Sequence, residues 1–132
     1  MRIAVDTNVL VRYLTSDDAA QATEEMRVIE GASTVVISTI VLCELVWVLK
    51  GRYRYGREDI INIVRGLTES RTVEVDQLAV AAGLAMLNKG ANFADGIIQH
   101  EASLTRCDSL VTFDRNFARS TASETVKLLG AA

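Results

Sequence analysis

The chain has 132 residues, which is the size of one domain. Apolar residues make up 49% of it, which excludes a disordered chain, and eight Gly with no Pro exclude collagen-like or low-complexity sequence. The net charge is −3, from 14 basic and 17 acidic residues, so no overall basic field attracts nucleic acid and the placement of the charges decides what can bind. We expect a single domain over residues 1–132.

The sequence also predicts where the protein is found. The most apolar segment, Val35 to Leu49, is interrupted by Glu44 and is shorter than the roughly 20 residues of a spanning helix, so no membrane segment is expected. Asp6 lies where a signal peptide would be apolar. Cys43 and Cys107 share no metal or redox spacing, which is typical of reduced thiols and favours a cytoplasmic protein.

Strands and helices are predicted to alternate from the first residues onward. A short apolar strand, Arg2 to Val5, is followed directly by Asp6. Ser16 is expected to cap a helix that carries acids in its first turn and ends at Gly31. Thr34 to Ser38 is a continuous β-branched run, which favours a strand buried on both faces.

The next helix, from about Ile40 to Arg54, is apolar on nearly all sides, so we expect it to be buried. Gly56 ends it. The later predicted elements are a helix over Ile60 to Ser70, a strand at Thr72–Val75, helices at Gln77–Asn88 and Ala94–Arg106, and strands at Ser109–Phe113 and Thr125–Leu129. This alternation predicts an α/β fold with a mainly parallel sheet.

Four carboxylates stand where such a fold binds ligands, at the carboxyl ends of its strands. Asp6 and Asp114 directly follow predicted strands, whereas Glu44 and Asp95 lie in early turns of predicted helices that start at the same edge. Four acids in one cleft repel each other unless cations are present. An all-oxygen set suits Mg²⁺ or Mn²⁺, which points to phosphodiester or phosphoryl chemistry.

Each of these acids also has an ordinary structural interpretation. Asp6 can cap a helix, Asp95 can compensate a helix dipole, and Asp114 can begin a turn. Glu44 lies among apolar residues, where a carboxylate is costly unless it is paired or metal-bound, so an ion pair with an arginine is its alternative.

Four segments of the chain resemble PIN-domain nucleases, and among these the VapC toxins of bacterial type II toxin–antitoxin pairs. The segments are IAVDTNVLVRYL (Ile3 to Leu14), STIVLCEL (Ser38 to Leu45), FADGII (Phe93 to Ile98) and VTFDRNF (Val111 to Phe117). The likeness covers the whole chain in order. It implies a PIN-like three-layer sandwich, with a central mainly parallel sheet flanked by helices, and a Mg²⁺- or Mn²⁺-dependent endoribonuclease.

The resemblance also implies roles for individual residues. The acidic quartet falls on Asp6, Glu44, Asp95 and Asp114. Asp6 and Asp95 would be metal ligands, and Asn8 and Thr112 would hold the quartet in place. Gly96 departs from the family, which more often has a larger residue such as Ala there. The implied partners are a small VapB-like antitoxin, structured RNA such as tRNA or ribosomal RNA loops, and a second copy of the chain in a homodimer.

Basic residues occur in two places of interest. Arg52 to Tyr55 (RYRY), with Arg57, mixes cations and rings that could bind phosphates and stack on bases; the alternative is a solvated helix end whose arginines meet the helix dipole. Arg115 and Arg119 flank Asp114 and are expected to contact phosphates near a metal.

Three other functions are considered. An aspartyl-nucleophile phosphotransferase would use Asp6, but it usually needs a second acid at the position of Asn8 and a lysine between Lys89 and Lys127, where the chain has none. A non-catalytic module that binds RNA or protein would have lost quartet acids. A housekeeping RNA-processing nuclease would keep the fold and the activity without an antitoxin.

Overall fold

The computed structural model describes residues 1–16, 23–121 and 125–130. The chain forms two compact units, residues 1–76 and 77–132. The elements of the first unit are β1 (Arg2–Ala4), α1 (Thr7–Thr15), α2 (Glu24–Gly31), β2 (Thr34–Val36), α3 (Thr39–Gly51), α4 (Arg57–Thr68) and β3 (Val73–Glu74). Those of the second unit are α5 (Gln77–Asn88), α6 (Phe93–Leu104), β4 (Leu110–Thr112), α7 (Arg115–Arg119) and β5 (Val126–Leu128).

The first unit is built on a parallel sheet in which β2 lies between β1 and β3. Val35, at the centre of β2, is opposite Ile3 on one side and Val73 on the other. Val35 and Ile37 are buried, and Val36 is half-buried. The predicted strand is confirmed and lies between two others, but burial on both faces is not, because Thr34 and Val36 are only half-buried.

Helix α1 was not expected from the sequence. It follows β1 almost at once because Asp6 adopts an extended conformation and caps it, while Leu10 and Val11 are buried. Ser16, predicted as the N-cap of the first helix, is instead the C-cap of α1. Helix α2 starts at Glu24 with Thr23 as its N-cap, and the predicted acidic first turn at residues 17–18 lies outside the described residues.

Helix α3 is only partly buried, so the prediction that it is buried on all sides is wrong. Leu42, Leu45 and Leu49 are at most 1% exposed. In contrast, Ile40 is 68% exposed and Trp47 is 78% exposed. Residues at positions i, i+4 and i+7 share one helix face, so the apolar sequence covers both a core face and an exposed face.

The second unit contains two helices in close contact, α5 and α6. Phe93, at the start of α6, is buried against Gly83 of α5, where a Cβ atom would lie 2.5 Å from the ring. At Gly96 a Cβ atom would lie 2.2 Å from the carbonyl oxygen of Ala82. Gly96 therefore lets the backbones of the two helices approach closely, and Gly83 leaves room for the Phe93 ring.

Strands β4 and β5 pair in parallel, with Val111 opposite Lys127. The described strands thus form two parallel sheets, and helices connect successive strands along the chain. The predicted α/β class is confirmed. A single domain over residues 1–132 stays a prediction. In the described ranges, no helix is both long and apolar enough to span a membrane.

Candidate functional site

Asp6 lies between β1 and α1, at the carboxyl end of its strand as predicted. Its Oδ1 atom accepts a hydrogen bond of 3.1 Å from the backbone N–H of Val9, and its own carbonyl accepts from Leu10 at 3.2 Å. The helix-cap interpretation of Asp6 is thus correct. Capping uses one carboxylate oxygen and leaves the side chain exposed, so it is compatible with a second role for this residue.

A cleft of about 390 Å³ lies beside Asp6 in the first unit. It is lined by Asp6, Asn8, Val9 and Arg12 on the α1 side and by Glu24, Glu25 and Val28 of α2. The two glutamates were not identified from the sequence, because the first predicted helix began at Ser16 and placed its acidic turn at residues 17–18. They form the first turn of α2, so acid at a helix start was the signal that could have found them.

Glu44 lies in the second turn of α3, and its side chain is exposed. It lies on the face that carries Ile40 and Trp47, four residues before it and three residues after it. The expectation that Glu44 is a buried carboxylate in need of a partner is therefore wrong. Because Glu44 is exposed, it needs no metal ion to offset the cost of burying its charge. Its carboxylate is nevertheless accessible to a metal ion.

Asp95 lies in the first turn of α6, and its side chain is partly buried. Burial raises the pKa of the Asp95 carboxyl, the negative charge of Asp114 raises it further, and a hydrogen bond from the Asn92 side chain lowers it. The Oδ2 atom of Asp95 is buried and has no hydrogen-bond partner. An unpartnered buried carboxylate oxygen is unusual, and it is a typical mark of a missing ligand.

Asp114 follows β4 and caps the short helix α7. Its Oδ1 atom accepts from the backbone N–H of Phe117 at 3.1 Å. Its own N–H donates to the Thr112 hydroxyl at 3.0 Å, so Thr112 fixes the backbone from which Asp114 projects. The Asn116 side chain donates to the Gly90 carbonyl at 3.3 Å and ties α7 to the loop between α5 and α6.

The structure thus brings Asp95 and Asp114 close enough to interact electrostatically within the second unit. Asp6 and Glu44 belong to the first unit. No group of three or more His, Cys, Asp or Glu side chains within the described ranges could hold a metal ion, and a common site for all four acids stays a prediction. Asp95 nonetheless fits a cation, because its buried oxygen lacks a donor and a second carboxylate is near.

Two comparisons with known proteins bear on this arrangement. The family model described as PIN domain matches residues 3–122, which is nearly the whole chain and contains all six predicted site residues. A search of curated proteins finds no match. PIN domains are generally Mg²⁺-dependent nucleases, so the family accounts for acids without histidine or cysteine partners at the candidate site.

Proposed function

The chain belongs to the PIN-domain family, a superfamily of metal-dependent nucleases, and we propose that it is an endoribonuclease that acts as the toxin of a type II toxin–antitoxin pair. We propose structured RNA in the cytoplasm, such as tRNA or ribosomal RNA loops, as its substrate. The observation that carries the nuclease activity is the buried, unpartnered Oδ2 atom of Asp95, which lies in the field of Asp114 in a chain of this family.

The proposed metal ligands are Asp6 and Asp95, with Glu44 and Asp114 completing the acidic set. A bound Mg²⁺ or Mn²⁺ would neutralise phosphate charge and lower the pKa of a water molecule. Partial burial makes the anionic form of Asp95 unfavourable without a cation, so this residue is prepared to bind one. Arg115 and Arg119, at the two ends of α7, are exposed and could contact phosphate oxygens.

Within this proposal, Thr112 and Asn8 are positioning residues. The Thr112 hydroxyl accepts from the N–H of Asp114 and holds the start of α7, and thus acts through Asp114 rather than on RNA. Asn8 lies in the first turn of α1 and lines the cleft beside Asp6. A side-chain amide there can donate to a carboxylate or to a phosphate without adding charge.

The proposed antitoxin would bind the cleft beside Asp6. Three acids, Asp6, Glu24 and Glu25, outnumber the one cation of the cleft, Arg12, so its net charge is negative. Val9 and Val28 give it apolar surface. An amphipathic segment with apolar anchors and an arginine matches both properties, and the arginine could pair with a carboxylate in two parallel hydrogen bonds. Such a segment would be disordered when free and would fold on binding.

The nuclease proposal is tested by RNA cleavage with the purified full chain. We expect cleavage with Mg²⁺ or Mn²⁺, none in EDTA, and none with Asp95→Asn. Asp108→Asn is the matched control, because Asp108 is an exposed acid of the same unit outside the predicted quartet. Robust cleavage in chelator would refute the metal-dependent mechanism, and RNA binding without cleavage under any condition would favour a non-catalytic module.

The toxin role is tested separately by expression in a bacterial host. Induction of the wild-type chain should arrest growth, and Asp95→Asn should not. Co-expression of the small gene next to the coding sequence should restore growth, and its product should co-purify with the chain. If the chain cleaves RNA but neither slows growth nor binds that product, it is an RNA-processing nuclease instead.

A further inference from the structure

The turn between α3 and α4 carries three exposed arginines and two tyrosines, of which Tyr53 is exposed and Tyr55 half-buried, and the candidate site uses none of them. Four of the 14 basic residues of the chain, Lys50, Arg52, Arg54 and Arg57, lie within eight positions that contain no acid. The chain as a whole has a net charge of −3, so basic charge is concentrated here against an acidic background. All four of these side chains are exposed.

The backbone of this turn has a defined conformation. The amides of Arg52 and Tyr53 donate to the carbonyl of Val48, and the amide of Tyr55 donates to that of Leu49. Arg54, between the two tyrosines, has φ of +55°, which is unfavourable for a side-chain-bearing residue. The carbonyls of Val48 and Leu49 are therefore satisfied by backbone N–H groups, and the arginines are not needed to cap these two.

The side chains of the turn present both phosphate-binding and base-stacking groups. The rings of Tyr53 and Tyr55 are 6.1 Å apart and tilted by 59°, so they do not stack face to face. Arg52 lies 6.0 Å from the centre of the Tyr53 ring, and Tyr53 is 37% exposed. In the part of the chain that the structure describes, Arg52, Arg54 and Arg57 form no ion pair.

We propose that this turn, residues 50–57, is a binding surface for single-stranded RNA, in which the arginines contact phosphates and Tyr53 stacks on a base. An exposed ring, that of Tyr53, among guanidinium groups without ion pairs is the combination that suits single-stranded nucleic acid. An acidic protein segment would use the charges but would gain little from the rings, so RNA is the better match. This inference rests on the proposed function, because it takes RNA as the substrate.

The surface is tested by binding of a fluorescent single-stranded oligoribonucleotide to the full chain in EDTA, so that cleavage does not interfere. Tyr53→Leu should weaken binding by about 5- to 150-fold, the range measured for loss of one stacked base, whereas Tyr53→Phe keeps a ring and should bind like wild type. Arg54→Gly removes a guanidinium but suits the left-handed backbone, and the slope of log K against log salt should fall by about 0.7. Arg65→Gln, in the last turn of α4, is the matched control for charge and should change binding little.

Equal binding by wild type, Tyr53→Leu and Arg54→Gly would refute the surface, as would an effect of Arg65→Gln as large as that of Arg54→Gly. If polyglutamate displaces the RNA and Tyr53→Leu has no effect, the turn is a general anion site and the proposal is wrong. The nuclease proposal has its own outcome, since metal-dependent cleavage by the wild type stands even if these variants bind normally. If the wild-type chain cuts no RNA but the variants bind RNA more weakly than it does, the binding surface is supported and the nuclease proposal is refuted.

Discussion

Gly96 gives the sharpest test of how α5 and α6 pack. Two opposing effects act when it is replaced by alanine. Alanine is favoured over glycine inside a helix by about 1 kcal/mol, which alone would stabilise α6. The added methyl group, however, would lie 2.2 Å from the carbonyl oxygen and 2.7 Å from the carbonyl carbon of Ala82, and 2.9 Å from the Cα of Gly83.

All three atoms belong to the backbone of α5, so no side chain can rotate away. An ordinary contact needs at least 3.4 Å, and the helices would have to separate by about 1 Å, which loosens the packing of Phe93 against Gly83. Overpacking of this kind costs about 1–3 kcal/mol and can cost more. We expect Gly96→Ala to lower the free energy of unfolding by up to about 2 kcal/mol after the gain in helix propensity is subtracted.

The control is Gly66→Ala in α4, where a Cβ atom would meet nothing within 4 Å. This variant should be more stable than wild type by up to about 1 kcal/mol, since only the propensity term remains. Urea unfolding followed by circular dichroism measures both. If Gly96→Ala is as stable as Gly66→Ala, a methyl group at position 96 does not overpack against the backbone of α5, and the predicted loss of stability is refuted.

Three smaller predictions concern the second unit. Asp95→Asn should raise the midpoint of thermal unfolding at pH 7 in EDTA and flatten the pH dependence of that midpoint. The pKa of Asp95 is raised in the folded chain, so its ionised form destabilises the fold above that pKa, and this penalty disappears as the pH falls through it. A lowered midpoint would contradict this account. Thr112→Ala should reduce RNA cleavage while Thr112→Ser retains it, because only the hydroxyl accepts from Asp114; equal rates would show that the bond is dispensable. Arg106 has φ of +56° at the end of α6, so Arg106→Gly should raise the unfolding free energy by about 0.5–1 kcal/mol and Arg106→Ala should not.

The sequence predicted the order of the elements well where the local signals are strong. The ends of α5 were predicted to the residue, and β2 was identified from its β-branched run. Helix α1 was missed because Asp6 was weighed chiefly as a site residue, although it caps that helix as well. The last turn of the predicted Ile40–Arg54 helix does not form: α3 ends at Gly51, and Arg54 adopts the left-handed conformation.

The candidate site was predictable in part, because the acids follow strands or begin helices, which is a local property. Their environment was not. Glu44 was expected to be buried because hydropathy does not distinguish a helix face in the core from an exposed apolar face. The need for glycine at position 96 depends on the backbone of α5, fourteen residues away, so the sequence showed Gly96 as a departure from the family but not its packing role.

The exposed apolar face of α3 supports the proposed homodimer. Ile40 and Trp47 are 68% and 78% exposed, and they share this face with Glu44. Large apolar side chains exposed together on one helix are costly in water and mark interaction surfaces. In a symmetric dimer the same patch would meet its own copy, so one substitution would act twice at the interface.

Trp47 is the only tryptophan of the chain, so its fluorescence reports on this face alone. In a dimer that covers α3, dilution should shift the emission maximum to longer wavelength as the indole becomes hydrated. Trp47→Lys should give a monomer by light scattering, and unfolding of that monomer should stay cooperative because Trp47 contributes little to the core of its own chain. Ile98→Lys, a substitution at an exposed apolar position of α6, controls for added charge and should leave the mass unchanged. A concentration-independent emission maximum with a monomeric mass for the wild type would show that α3 does not mediate self-association, and its exposed face would then be free for another partner.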